Sequence, residues 1–102
     1  MIIYNVTLSI SPNIHEKWLH WMRHTHIPEV MQTGVFVQHR IFRLAHPEPE
    51  DGTYTYAVQY ACKNMEALNE YIDAHSPGLQ KKHNELFAGE YTAFRSILEE
   101  IT

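Results

Sequence analysis

Cysteine occurs once in this chain, as Cys62. A lone cysteine excludes an internal disulfide and any cysteine-based zinc knuckle, and it fits a reducing compartment. Positive charge is also scarce. Eight Lys and Arg stand against 12 Asp and Glu, for a formal charge of −4. The basic residues are scattered along the chain, so the footprint that a phosphate backbone demands is missing and nucleic acid is not an expected partner. No apolar run approaches the ~20 residues of a membrane span, and no membrane partner is expected. The opening MIIYNVTLSI lacks a charged leader and a small-residue cleavage site, so it reads as a strand and not a signal peptide, with a cytoplasmic location as the default. There is no nucleophile elbow, glycine-rich phosphate loop or acid pair. Histidine, by contrast, is plentiful: protonating all eight would carry the formal charge from −4 to +4.

The 102 residues fit one domain with one core, residues 1–102, and the 44% hydrophobic content places the chain among globular proteins. Ile2 to Ile10 alternates cleanly, with Ile2, Tyr4, Val6, Leu8 and Ile10 on one face, as a half-buried strand requires. Ser11, Pro12 and Asn13 stop it, and Asn13 with Glu16 resembles a capping box. The helix that follows carries Ile14, Trp18, Trp21, Met22 and Thr25 on its inner stripe. Pro28 removes a backbone donor, which predicts a kink between Thr25 and Ile27 before the helix ends at Gly34.

Val35 to Leu44 is β-prone with apolar groups on both faces, which predicts a strand contacted on both sides. The turn segment AHPEPEDG separates it from a second alternating strand, Tyr54 to Ala61. Asn64 is a helix cap for a stripe of Met65, Leu68, Ile72 and His75. Ser76 and Pro77 predict the start of a separate helix with Leu79, His83, Leu86 and Phe87 inward, ending at Gly89. Tyr91 to Leu98 supplies the fourth strand. The order is that of a ferredoxin-like βαββαβ domain of the α+β class: a four-stranded antiparallel sheet with helices on one face. With the apolar even-numbered face of the first, third and fourth strands toward the helices, parity places Asn5, Gln59 and Arg95 on the open face. Exposed Ile3 and Ile97 there make a monomer uncomfortable, so a homodimer through that face is expected.

The stretches YNVT (Tyr4 to Thr7), WLHWM (Trp18 to Met22), HIP (His26 to Pro28), TYAVQY (Thr55 to Tyr60) and FRS (Phe94 to Ser96) resemble the DUF4286 family of small bacterial proteins, over essentially the whole chain. That family is similar in turn to the dimeric α+β barrel superfamily, in which two ferredoxin-like sheets pack face to face and ligands enter beside the sheet. The resemblance implies the fold and the dimer. It assigns no catalytic residue.

Two constellations are candidates for function. His26, beside the kink, is positioned for general acid or base work, with Trp21 and Tyr60 lining a cleft for a small aromatic or apolar molecule; its alternative role is to satisfy a carbonyl freed by the kink. Asn5, Gln59 and Arg95 are suited to a carboxylate or carbonyl, or to the polar centre of a dimer interface. His20 and His24 have the i,i+4 spacing of half a metal site, but the pair falls on the solvent face and no metal is expected. Two functions follow: a small-molecule-binding barrel with cofactor-free monooxygenase- or isomerase-like chemistry, or a non-catalytic dimeric scaffold or regulatory binding module. Neither calls for a cofactor.

Overall fold

Strict alternation over nine residues makes Ile2–Ile10, β1, the strand around which the sheet assembles. In the computed structural model, which describes residues 1–102, β1 pairs antiparallel with β3 (Tyr54–Cys62) on one side and β4 (Tyr91–Glu99) on the other. The edge strand β2 (Gln38–Arg43) pairs with β3, giving the order β2-β3-β1-β4. This is the ferredoxin-like α+β fold. Tyr4, Leu8 and Ile10 from β1 meet Tyr56, Val58 and Tyr60 from β3 on the face covered by the helices, within one buried core.

The register corrects the expected face of β4. Val6 lies opposite Arg95, Leu8 opposite Ala93, and Asn5 opposite Ser96. Directly opposed residues point to the same side of a sheet. Odd-numbered β4 residues therefore share the helix-covered face, while Phe94 and Leu98 stand on the open face with Asn5 and Gln59. Strand β2 is also shorter and barer than expected. Phe36 is buried ahead of it, whereas Val37 and Phe42 are exposed, because an edge strand has a neighbour on one side only.

Two long helical segments cover the sheet, and each contains a five-residue π-turn. The first runs from α1 (His15–Trp21) through the π-turn Met22–His26 into α2 (Ile27–Gln32). The second runs from α3 (Met65–Glu70) through the π-turn Tyr71–His75 into α4 (Ser76–Phe87). In both, the π-turn ends in a histidine two residues before a proline, Pro28 or Pro77. A proline ring clashes with the carbonyl four residues back, and widening the preceding turn relieves that clash without ending the helix. The kink expected near Thr25 to Ile27 takes this form. Ser76 consequently does not cap a new helix: it lies inside a continuous one, where its Oγ accepts a bond from Gln80 Nε2 at 2.7 Å.

The inward stripes also differ from those expected. Tyr71 is buried where Ile72 was expected, Met65 and Leu86 are exposed, and Thr25 faces solvent. The Asn64 cap forms as its residue type predicts, with Oδ1 accepting from the Ala67 N–H at 2.9 Å. The Asn13–Glu16 capping box does not form. A 3-10 turn, Pro12–Ile14, precedes α1, and Asn13 Nδ2 reaches Glu90 instead. Gly34 and Gly89 terminate the two helical segments with φ of 79° each, a conformation that suits glycine.

The shifted stripe has a measurable consequence. Tyr71→Ala should cost about 3 to 5 kcal/mol of stability as a large buried ring is lost. Ile72→Ala, at a half-exposed position, should cost less than about 1 kcal/mol. Urea unfolding of the two variants tests this, and equal costs would contradict the register.

Candidate functional site

The helical layer does not close completely on the sheet. Between β1, β3 and β4 below and the two helical segments above lies a cavity of about 320 Å³. Tyr4, Val6, Leu8 and Val58 form its floor, and His26, His83, Tyr60, Tyr71 and Arg95 bring polar groups to its walls. The π-turn sets His26, its last residue, over the sheet, and the register of β4 carries Arg95 into the same space.

Indole nitrogen can only donate, and Trp18 Nε1 donates to His83 Nε2 at 2.9 Å in the core. That contact fixes His83 as the neutral tautomer with its proton on Nδ1. No side-chain nitrogen or oxygen is buried without a partner, and no protein group bonds that Nδ1, so its N–H opens onto the cavity. Burial holds His83 down to a pKa of about 4, and the nearby His26 and Arg95 act in the same direction. His26 is likewise lowered to about 4, mainly by burial. Glu29 opposes that shift, while Arg95 and Lys82 reinforce it. Both imidazoles are therefore neutral at neutral pH. The Tyr60 and Tyr71 hydroxyls are pushed above their usual range, again chiefly by burial, so both keep their protons.

His26 makes no hydrogen bond to a backbone carbonyl. Its ring stacks on Trp21, with centroids 5.0 Å apart, and meets His83 edge to face at 5.9 Å. Trp21 does not line the cavity; it packs behind His26 and against Phe87 and holds the imidazole in place. Tyr60 and His26, expected in one cleft, do share it.

Asn5, Gln59 and Arg95 are not one group. Gln59 Nε2 donates to Asn5 Oδ1 at 3.2 Å, and Asn5 Nδ2 is within 3.1 Å of Thr7 Oγ1 and 3.2 Å of Ser96 Oγ. This network satisfies itself on the open face, where Asn5 is only 8% exposed. Arg95 is on the opposite side of the sheet. Reading the residues alone missed His83 as a site residue. The signal was a histidine within the apolar Leu79, His83, Phe87 stripe of α4, at a position where a buried imidazole needs a donor or acceptor. The His20 and His24 rings lie 4.2 Å apart on the exposed side of the first helical segment, and no third His, Cys, Asp or Glu converges with them.

The sequence matches the family model described as Domain of unknown function (DUF4286) over residues 1–101, and the chain belongs to that family. Comparison with the curated proteins gives no match. Among solved structures, the chain is similar to an ethyl tert-butyl ether d (EthD) family protein from Bacillus halodurans, at 20% identity and a TM-score of 0.67, covering 99% of this chain and 100% of that one. It is also similar to SnoaB, a cofactor-independent oxygenase from Streptomyces nogalater, at 13% identity and a TM-score of 0.68, covering 99% and 94%. A dimeric ferredoxin-like protein from an uncultured marine organism gives 11% identity and a TM-score of 0.69, covering 99% and 97%. These likenesses establish the ferredoxin-like fold.

Two histidines with depressed pKa values make stability pH-dependent. Below the ordinary value of 6.5 the unfolded chain takes up protons that the folded chain refuses until about pH 4. The stabilisation is thus complete above pH 6.5 and is lost as pH falls toward 4, by a total on the order of several kcal/mol. Urea midpoints measured at neutral pH and through this window should fall steeply. A flat profile would contradict the buried neutral pair.

Proposed function

We propose that this member of the DUF4286 family binds a small, partly apolar or aromatic molecule in the helix–sheet cavity, with His26 as its acid–base group. The observation that carries the reading is the meeting, in one cavity of about 320 Å³, of an apolar floor, a neutral imidazole without a protein hydrogen-bond partner and an arginine. Neutral His26 accepts a proton from an acidic C–H or O–H of the ligand. Arg95 stabilises the oxygen anion left behind. Return of the proton at another carbon is an isomerisation; reaction of the carbanion with dioxygen is a cofactor-free oxygenation. The cofactor-independent oxygenase that shares this fold supports the second form. If binding occurs without turnover, the same cavity makes a regulatory binding module, and product analysis separates the two.

The open sheet face supports pairing with a second copy. Phe94 is 69% exposed, and Phe42 and Leu98 are also uncovered. They surround the self-satisfied Asn5–Gln59 network, an arrangement of apolar contact around paired polar groups that suits an isologous interface. The dimeric protein of the same fold supports this reading. At micromolar concentration the chain should sediment near twice its 12.0 kDa mass. Phe94→Asp should return it to the monomer, and a wild-type monomer would refute the pairing.

Thermal-shift screening with aromatic and polyketide-like compounds tests the cavity. Hits should stabilise the wild type, with affinity reduced about tenfold in His26→Ala, which removes the acceptor, and in Trp21→Ala, which frees the ring. Equal stabilisation of the wild type and both variants would refute the reading.

A further inference from the structure

The charges around the cavity run against those of the chain. Acidic residues outnumber basic ones 12 to 8, yet the cavity walls include Lys81 and Arg95 and no Asp or Glu. Lys81 has only a long, exposed pair with Glu85 at 3.9 Å, which neutralises it weakly. Arg95 enters none of the chain's ion pairs. The other polar groups at the walls include donors: the Nδ1–H of His83, set by Trp18, and the Tyr60 and Tyr71 hydroxyls, which keep their protons. A cavity with cations, neutral donors and no carboxylate favours negative charge in whatever fills it.

Resting on the reading of this cavity as the ligand site, we propose that it selects organic anions: molecules with a flat apolar body against Val6, Val58 and Tyr60 and one carboxylate, enolate or phenolate oxygen at Arg95. Arg95 stands on β4 opposite Val6, so its side chain starts on the cavity side of the sheet and is among those that line the cavity. A planar fork there engages two oxygens of a carboxylate, or one oxygen through two N–H groups.

The test uses two probes of nearly the same shape, 2-naphthoate and uncharged 2-naphthamide, titrated into the full chain near neutral pH and followed by calorimetry. Naphthoate should bind at least about tenfold more tightly. In R95Q the naphthoate affinity should fall to within about threefold of naphthamide, with naphthamide unchanged. R95K, which keeps the charge but loses the fork, should lie between. Arg95 is exposed, so these substitutions leave the fold intact. Equal affinity of the two probes, or naphthoate binding unaffected by R95Q, would overturn the anion proposal while leaving the cavity reading standing. Failure of both probes to bind the wild type would overturn both.

Discussion

The hydrogen bond from Trp18 to His83 is the contact on which the site depends. It joins the two helical segments above the sheet, α1 to α4, between a fully buried indole and an imidazole that is 6% exposed. Each partner would be costly without the other. An indole N–H buried without an acceptor loses its hydration, and a charged imidazole in the same place would present a proton to that N–H. The pair therefore does three things at once: it ties the helical layer together, keeps His83 neutral and directs the Nδ1–H into the cavity. His26, stacked on Trp21 and edge-on to His83, is held by the same aromatic cluster.

The π-turns give this cluster its position. Both helical segments meet a proline two residues after a histidine, and both respond by widening one turn. In the first, the widened turn delivers His26 to the cavity. In the second it begins at Tyr71, which packs against Tyr4 and Phe36. Local backbone chemistry thus decides which side chains reach the site, as π-bulges in other helices commonly do.

Much of the fold was legible from the residues. The alternation of β1 and β3, the Asn64 cap, the Gly34 and Gly89 stops and the proline kink each follow from local rules, and together they specify βαββαβ. The errors arose where two physical demands compete. In β4, Phe94 and Leu98 look like core residues because they are the bulky ones, yet the ladder to β1 puts them outside and brings Arg95 in. Periodicity cannot choose between faces when both carry apolar groups. In the second helical segment, the apolar stripe from Leu68 continues as well through Tyr71, three residues on, as through Ile72, four residues on, and only the packing of Tyr71 against Tyr4 and Phe36 decides between them. His26 and Tyr60 were legible as a cleft. The place of Arg95 beside them was not, since that depends on strand register and not on spacing.

The central claim is that two neutral imidazoles, one of fixed tautomer, face an apolar cavity that a cation overlooks. The most direct measurement is the nitrogen-15 NMR of the histidine rings, recorded near pH 6. The account predicts neutral rings for His26 and His83, with the His83 proton on Nδ1. A charged His83, or one carrying its proton on Nε2, would contradict the Trp18 contact and with it the arrangement of the site.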